Sequence, residues 1–477
     1  MTALAALQRV TVSPLSHDAP LPLVEQITGF LRTRIDERHL RAGTRMPSIR
    51  RFAEDNRVSR FTVVEAYDRL VAQGYLESRR GSGFYVRERP QPVRRAPAPP
   101  APASTRIDVV WLLHHLYAEG DGRDVLLAGS GCLPPGWLDE AMLHSGLRAL
   151  ARREASALTG YGTPRGYAPL RDLLQVTLAE LEIRAAPDNI VLTAGASQAL
   201  DLVARYFLAP GDAVLVDDPG YYVLFGRLAA MGMRPLGVPR GPAGIDLERL
   251  DELAREHKPK LFLINSVLHN PTGTSLAAAD AFRVLRLAEA HDFHIVEDDI
   301  LADLHPGRAH RIAQLDQLNR VIYVGSFSKT LGAGLRVGFL AAHPDLARDL
   351  TAQKMLASLT TPELGERLVY QVLAEGYYRK HVDHLRARLA RSLEPAMRNL
   401  ERAGLTFFHE PAAGMFLWAH AGESRDAESL AASAEREGII LAPGSLFSPS
   451  QARSPWMRFH VAYAGSPKLT KFFESLR

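Results

Sequence analysis

Residues 325–339 read GSFSKTLGAGLRVGF, and this stretch decides the fold of the larger part of the chain. It follows the apolar run Val321–Val324, which has the length and composition of a buried strand. Lys329 is therefore expected just beyond a strand's carboxyl end, the edge at which open α/β sheets bind ligands. The serines, glycines and arginine around it suit a phosphate, and a lysine in a dry pocket is a nucleophile toward aldehydes. An ordinary surface lysine in a loop is the alternative.

Neighbouring segments favour the first interpretation. Four further apolar runs are each followed by residues that can hold a cofactor: Ile190–Thr193 by Gly195-Ala196-Ser197, Ala213–Val216 by Asp218-Pro219-Gly220-Tyr221, Leu261–Ile264 by His269-Asn270-Pro271-Thr272-Gly273, and His294–Val296 by Glu297-Asp298-Asp299. They offer, in turn, backbone N–H groups, an aromatic ring, an amide and a carboxylate for a pyridinium nitrogen. Amphipathic runs such as Ser197–Leu208 and Ala277–Ala290 alternate with the strands, which predicts a doubly wound, mostly parallel sheet.

The N-terminal part has a different pattern. Residues 23–40 carry one apolar helical stripe, formed by Val24, Ile27, Leu31 and Ile35. Ser48 can cap a short helix ending near Asn56, and Ser59 opens another in which apolar residues recur at helical spacing, at Phe61, Val64, Tyr67, Leu70 and Val71. Two helices joined by a short turn and followed by a Gly81-Ser82-Gly83 hairpin describe a helix-turn-helix with a wing. A small structural domain of three helices is the alternative.

Polar residues of this module lie where DNA contact requires them. The first turn of the second helix, which enters the major groove, carries Ser59, Arg60 and Thr62. Arg60 can present a bidentate fork to guanine, and the hydroxyls can hold phosphates. Arg50 and Arg51 face the DNA backbone from the preceding helix, and the wing residues Gly81, Ser82 and Gly83 allow a close approach to the groove.

Charge and composition agree with two kinds of domain. From Leu21 to Arg89 there are 14 basic against 9 acidic residues, whereas the whole chain carries a net charge of +4. This asymmetry is expected if only the N-terminal part meets a polyanion, and a basic solvated surface is the alternative. The single cysteine, Cys132, allows no disulfide framework, and no apolar stretch has the length of a membrane span. A cytoplasmic protein without a membrane partner is expected, and no motif indicates a metal site.

A proline-rich segment marks the domain boundary. Residues 87–106 read RERPQPVRRAPAPPAPASTR, whose six prolines favour an extended, semi-stiff linker. A chain of 477 residues is also too long for one ordinary core. We therefore expect a DNA-binding domain at residues 16–87, a linker at 88–106 and a cofactor-binding domain at 107–477.

Residues 120–477 resemble class I aminotransferases of fold type I, with the motifs in family order. The resemblance implies pyridoxal 5′-phosphate as the cofactor, with Lys329 forming the internal aldimine and Asp298 pairing with the pyridine nitrogen. It also implies that Asn270 donates to the phenolic oxygen and that Tyr221 stacks on the ring. The residues implied in phosphate binding are Ala196, Ser197, Ser326 and Arg336.

Three further positions bear on assembly and activity. Tyr161 matches the tyrosine that reaches the phosphate of the other subunit, which implies a homodimer. Arg458 matches the arginine that clamps a substrate α-carboxylate, and Asn270 lies near that carboxylate in the family. Leu301 departs from the family, because relatives have there a tyrosine that donates to the phenolic oxygen. The departure argues against efficient transamination and leaves cofactor binding intact.

Residues 21–86 resemble the GntR-type winged helix-turn-helix, through Pro47-Ser48-Ile49-Arg50, Val58-Ser59-Arg60-Phe61-Thr62-Val63 and Gly74-Tyr75-Leu76-Glu77 with Gly81-Ser82-Gly83. The resemblance implies a double-stranded DNA operator as partner, contacted by Arg50, Ser59, Arg60 and Thr62. Phe61 stands where relatives usually carry a small or polar residue, so the operator is expected to differ at that position.

The combined architecture is similar to that of the MocR subfamily of transcription regulators. It implies an α+β winged helix-turn-helix followed by an α/β fold-type I transferase domain with a mostly parallel sheet and a smaller C-terminal α/β domain. The expected function is regulation of transcription, with an amino compound or vitamin B6 species sensed through Lys329. A working aminotransferase acting on an α-amino acid is the alternative, and a sensor of free pyridoxal phosphate is a third possibility.

Overall fold

The computed structural model describes residues 15–16, 19, 21–88, 109–117, 125–153, 159–422 and 426–476. The chain divides into two compact units, Met1–Thr105 and Arg106–Arg477. Of the segment predicted as a linker, residues 88–106, all but Glu88 lies outside the described residues. No helix in the described ranges is long and apolar enough to cross a membrane.

The N-terminal unit is a winged helix-turn-helix. Its described residues form three helices and an antiparallel hairpin: α1 (Leu23–Asp36), α2 (Ile49–Asn56), α3 (Arg60–Ala72), β1 (Leu76–Arg79) and β2 (Gly83–Val86). Ser48 and Ser59 cap α2 and α3, since their hydroxyls accept hydrogen bonds from the N–H groups of Arg51 and Thr62. Both helix starts and the hairpin therefore lie where the sequence predicts them.

The buried face of α3 differs from the stripe seen in the sequence. Phe61 and Val64 belong to that stripe, yet their side chains are 87% and 36% exposed. Tyr67 is common to two overlapping apolar stripes, and its ring packs against Phe52 and Phe84 at centroid distances of 5.6 and 5.0 Å. This packing fixes the rotation of the helix, so that its buried residues are Val63, Ala66, Tyr67 and Leu70.

The second unit is built on a mixed sheet of eight strands: β3 (Ile190–Thr193), β4 (Ala213–Asp218), β5 (Arg234–Gly241), β6 (Gly244–Ile245), β7 (Leu261–Ile264), β8 (His294–Asp298), β9 (Val321–Ser326) and β10 (Gly338–Ala341). Their order in the sheet is β3-β10-β9-β8-β7-β4-β5-β6. The five neighbours β5, β4, β7, β8 and β9 are parallel, whereas β10 is antiparallel to both β3 and β9. The predicted, mostly parallel sheet is confirmed.

Helices cover both faces of this sheet. Successive residues of β7 alternate between two apolar clusters, with Phe262 and Ile264 in one and Leu261 and Leu263 in the other. A strand buried on both sides reads as a continuous apolar run, which is why these strands could be recognised. The helices from the start of this unit through the sheet are α4 (Val109–Tyr117), α5 (Glu140–Arg153), α6 (Ala168–Glu180), α7 (Ala196–Phe207), α8 (Tyr222–Ala230), α9 (Leu247–His257), α10 (Ala278–His291), α11 (Ile312–Asp316), α12 (Pro344–Ser358) and α13 (Glu363–Ala374).

A smaller C-terminal α/β region follows. Its antiparallel sheet has the order β11-β12-β14-β13, with β11 (Thr406–Phe407), β12 (Phe416–His420), β13 (Ala442–Pro443) and β14 (Trp456–His460). The 26-residue helix α14 (Tyr377–Arg402) leads into it, and three further helices complete it: α15 (Ala427–Arg436), α16 (Val461–Ala464) and α17 (Pro467–Glu474). A separate apolar cluster, which includes Leu301, forms its core.

The observed rotation of α3 is testable with two adjacent valines. Val63→Ala is expected to lower the free energy of unfolding of the N-terminal unit by about 1–3 kcal/mol, because it empties a buried site. Val64→Ala, the matched control on the exposed face, should change it by less than about 0.5 kcal/mol. Hydrogen–deuterium exchange of peptides from residues 21–88 in the full chain measures both, and equal effects would contradict the observed rotation.

Candidate functional site

The carboxyl ends of the parallel strands gather the polar residues picked out in the sequence. Asp298 ends β8, Ser326 ends β9, and Lys329 follows three residues later. Asn265 comes directly after β7, and its side-chain amide donates to the main-chain oxygen of Asp298 (2.8 Å). Asn265 also accepts from the N–H group of Asn270 (2.8 Å), which links the two loops at this edge.

Lys329 lies in the turn after β9, in contact with a segment distant in sequence. Its Nζ donates to the main-chain oxygen of Gly131 at 2.9 Å and lies 3.5 Å from Sγ of Cys132. The next residue, Thr330, is anchored to α14 by Tyr378, whose hydroxyl is 2.8 Å from the threonine hydroxyl, and by His381, whose Nε2 donates to the threonine carbonyl oxygen (2.7 Å). The lysine is thus held by a fixed backbone.

Asp298 is a buried acid with few partners. Its carboxylate accepts one long hydrogen bond, 3.3 Å, from the N–H group of Ile300. Burial raises the pKa of Asp298 to about 7, against the opposing effect of the Lys329 charge. The side chain lines one cavity together with Tyr221, Asn265 and His269. A buried carboxyl of this kind favours a ligand that brings a positive charge or a hydrogen-bond donor.

A charged network lies beside the same cavity. Burial would raise the pKa of Asp217, but Arg240, at 3.2 Å, and His269, at 3.5 Å, bring it below its ordinary value. Burial and the charge of Arg240 lower the pKa of His269 to about 4, so its ring is neutral. The N–H group of Asn265 donates to Asp217 at 2.8 Å, which joins the network to the loop after β7. No pattern in the sequence indicates this network.

The start of α7 meets Arg336 in a tight cradle. The Nη2 atom of Arg336 donates to the carbonyl oxygen of Ala194 (3.0 Å). A Cβ atom built on Gly195 would lie 2.6 Å from this Nη2 atom, and the φ angle of Gly195 is +75°. A Cβ atom built on Gly338 would lie 2.8 Å from the carbonyl carbon of Gly195. Both positions therefore require glycine. Within the described residues, Arg336 has no carboxylate partner at ion-pair distance.

Three of the residues predicted to bind phosphate surround this cradle. Ala196 and Ser197 begin α7, where backbone N–H groups attract anions. The hydroxyl of Ser326 donates to that of Ser328 (3.1 Å), and the Nη1 atom of Arg336 lies 3.4 Å from the same Ser328 oxygen. Hydroxyls, helix N–H groups and a guanidinium thus converge as a phosphate requires.

Arg458, on β14, is fully buried without an acidic partner among the described residues. Its Nη1 donates to Oδ1 of Asn270 (2.8 Å) and its Nη2 to the carbonyl oxygen of Gly129 (2.7 Å), while Nε has no partner there. The guanidinium lies over the rings of Phe416 and Phe447, 4.6 and 4.9 Å from their centroids. A buried cation without a counterion favours an incoming anion.

His460 lies two residues beyond Arg458, on the same face of β14. Burial lowers its pKa to about 3, assisted by the charges of Arg458 and Lys329. Its Nδ1 accepts from the N–H group of Ala462 (3.1 Å), so the proton sits on Nε2, which has no partner in the described part of the chain. His460 could have been predicted, because it lies two residues from Arg458 on a strand and therefore shares its face. Nothing in the sequence connects Cys132 with Lys329, which lies 197 residues away.

Two predicted positions stand apart from these contacts. Tyr161 is 83% exposed, and no described contact joins it to the other candidate residues. Leu301 is 2% exposed and belongs to the apolar core of the C-terminal region. A leucine there cannot donate a hydrogen bond.

The candidate DNA-contacting residues lie on the N-terminal unit. The hydroxyls of Ser59 and Thr62 are 2.8 Å apart and both belong to the cap of α3, while Arg60 is exposed and has no ion-pair partner within residues 21–88. Arg50 is paired with Glu54 at 2.9 Å. In the wing, Gly81 and Gly83 have φ of +73° and +102°, and the Ser82 hydroxyl is 2.6 Å from that of Tyr85.

Comparisons with known proteins match the N-terminal unit and the second unit to different families. Residues 127–476 match the family described as aminotransferase class I and II, and residues 23–86 match the bacterial regulatory proteins of the gntR family. The probable rhizopine catabolism regulatory protein MocR of Rhizobium meliloti is 31% identical, over 90% of this chain and 88% of that protein. The 2-aminoadipate transaminase of Thermus thermophilus is 33% identical, over 68% of this chain and 82% of its own.

A solved structure extends the comparison. The crystal structure of LysN, an α-aminoadipate aminotransferase from Thermus thermophilus complexed with N-(5′-phosphopyridoxyl)-L-leucine, covers 74% of this chain and 92% of its own. The two share 28% sequence identity, with a TM-score of 0.68.

The environment of Asp298 predicts a pH dependence of stability. Burial raises its pKa from 3.8 to about 7, so this carboxyl contributes stability that is present below about pH 4 and lost as the pH rises through 7. Asp298→Asn should therefore stabilise the cofactor-free protein increasingly with pH, with a gain about 2 kcal/mol larger at pH 8 than at pH 5.5. Thermal unfolding measures the gain, and Asp292→Asn at an exposed site is the control. A gain that does not change with pH would contradict the raised pKa of Asp298.

Proposed function

Because the chain belongs to the aminotransferase class I and II family and joins this domain to a GntR-type winged helix-turn-helix, we propose that it is a MocR-type transcription regulator that uses pyridoxal 5′-phosphate to sense an amino compound. One observation carries the proposal. A DNA-binding fold and a lysine-centred site with an unneutralised buried cation, Arg458, occur in the same chain.

The residues at the sheet edge fit the cofactor. When bound, pyridoxal 5′-phosphate supplies an aldehyde that reacts with amines and a ring that withdraws electrons. Asp298 supports this assignment, because a buried carboxyl with one long hydrogen bond suits the N–H group of a pyridinium ring. The cradle at Gly195 and Arg336 suits the phosphate, since glycine leaves room there for an anion beside the guanidinium.

Each residue then has a defined task. Lys329 supplies the amine that holds the cofactor, and its Nζ already lies inside the site, at the Gly131 carbonyl oxygen. Asn270 is positioned to donate through its amide nitrogen, because its Oδ1 accepts from Arg458. Tyr221 lines the same cavity as Asp298 and provides an aromatic face for the pyridine ring of the cofactor. The phosphate is assigned to Ala196, Ser197, Ser326 and Arg336.

We also propose that the protein is a homodimer. The ring of Tyr161 is exposed, which suits a residue that reaches the phosphate in the partner subunit. Apolar side chains at the end of α12 are exposed as well, with Leu356 at 92% and Leu359 at 55%. Exposed apolar groups that lie together commonly mark an interface.

Arg458 defines the class of effector. Its guanidinium is fixed by Asn270, Gly129 and two aromatic rings, so it offers a rigid, dry fork to a carboxylate. An α-amino acid presents its amine to the cofactor and its carboxylate to Arg458. Leu301 cannot replace the hydroxyl donor expected at its position, which favours sensing over rapid turnover.

Regulation requires that the effector bind two arrangements of the protein with different affinities. The arrangements differ in how the dimer presents Arg50, Ser59, Arg60, Thr62 and the wing residues Gly81, Ser82 and Gly83 to an operator. A cytoplasmic location follows from the proposal, because the DNA that the protein would bind is the cell's own.

The cofactor lysine has a direct test. Wild-type protein should absorb light at about 420 nm. After borohydride reduction, it should carry the cofactor covalently on the peptide that contains Lys329. Lys329→Ala should lose both signals, whereas Lys260→Ala, at an exposed lysine, should keep them. A covalent adduct that survives in Lys329→Ala would refute the assignment.

The effector proposal predicts a response that depends on the carboxylate. Amino acids should change both the cofactor spectrum and the affinity for a duplex selected from a random DNA pool, and Arg458→Leu should weaken amino acid binding roughly 10–100-fold. The control ligand is the amine that differs from the amino acid only in lacking the carboxylate. Arg458→Leu should leave the binding of this amine nearly unchanged. Rapid turnover with an amino acid and 2-oxoglutarate, without any effect on DNA affinity, would instead favour the aminotransferase.

A further inference from the structure

The exposed face of α3 combines charge with an unusual apolar side chain. Phe61 is 87% exposed and lies outside the apolar cluster of the N-terminal unit. It belongs to the first turn of α3, between Arg60 and Thr62, and Val64, 36% exposed, follows one turn later on the same face. A single exposed phenylalanine is not unusual, so its position is what matters.

The N-terminal unit also carries basic residues without ion-pair partners in its described part. Arg57 and Arg60 are both exposed, and neither has an ion-pair partner within residues 21–88. Arg80, on the wing, is also exposed and unpaired in that range. Unpaired guanidinium groups on one small unit favour a polyanion, and a helix with its first turn exposed enters the major groove by that end.

The chemistry of a phenyl ring limits what it can read there. A phenyl ring offers no conventional hydrogen-bond donor or acceptor, whereas the major-groove edges of guanine, cytosine and adenine present polar groups. Thymine alone adds an apolar group, its C5-methyl, which apolar side chains contact. A phenyl ring placed over any other base edge would desolvate polar atoms without pairing them.

We propose that Phe61 is a specificity-determining residue that contacts the C5-methyl group of a thymine in each operator half-site, beside the base contacted by Arg60. The inference rests on the proposed DNA-binding function and identifies one base that the recognition helix prefers. Val64 extends the same apolar surface toward the next base pair. The methyl contact contributes sequence preference but no charge, so it should leave the salt dependence of binding unchanged.

The test removes one methyl group at a time. The probe is the duplex that the full-length holoprotein enriches most from a random DNA pool, with each thymine replaced in turn by deoxyuridine. At one thymine in each half-site, we expect deoxyuridine to weaken binding to the wild-type protein about fourfold, the factor that burial of one methyl-sized group supplies. Phe61→Ala removes the contact from both half-sites, so it should weaken binding to the thymine duplex by about the square of that factor, roughly 16-fold, and deoxyuridine at either site should cost it nothing further.

Controls separate the possible failures. Leu21→Ala, at another exposed apolar residue of the same unit, should retain the full thymine preference. Wild-type protein that tolerates deoxyuridine everywhere, or Phe61→Ala protein that discriminates as well as wild type, would overturn the proposal. The second of these outcomes, an equal loss relative to wild type on both duplexes, would mean that the ring contacts something other than the thymine methyl group. If no duplex is enriched at all, the DNA-binding function itself has failed.

Discussion

Gly338 pairs with Thr193 on one side and with Ser326 on the other, as the antiparallel strand β10 runs between β3 and β9. This register brings the residues before β10 against the start of α7, so that Arg336 reaches the carbonyl oxygen of Ala194. It also places the turn carrying Lys329 beside the ends of the parallel strands. A side chain at Gly338 would collide with the backbone of Gly195, so the spacing of the two glycines sets the width of the site. The cradle depends on that spacing directly, and β10 also pairs with β9, the strand that leads into Lys329.

Much of this arrangement could be predicted because parallel strands end at one edge of a sheet. Their apolar runs identify the strands, and the residues after each run then have to meet. Lys329, Asp298 and Asn270 were found in this way, and the structure joins the loops that carry Asp298 and Asn270 through the side chain of Asn265. Their roles toward a cofactor remain predictions.

The rest of the site depends on contacts that have no periodic signal. Cys132 reaches Lys329 from nearly 200 residues away in sequence, by way of tertiary packing alone. The pairing of Asp217 with Arg240 joins two strand ends whose residues could equally have faced solvent. On α3 two apolar stripes satisfy the helical period, and only the packing of Tyr67 against Phe52 and Phe84 decides which one is buried. Periodicity establishes the helix and leaves its rotation open.

The short segment from Gly129 to Cys132 holds two cations of the site, Arg458 and Lys329. The carbonyl oxygen of Gly129 accepts from Arg458, and that of Gly131 accepts from Lys329. Gly129 and Gly131 are two residues apart, so the positions of both nitrogens depend on one short strip of backbone. A change in the path of this strip would move the amine and the guanidinium together, and with them the two groups that the ends of an amino acid would have to reach.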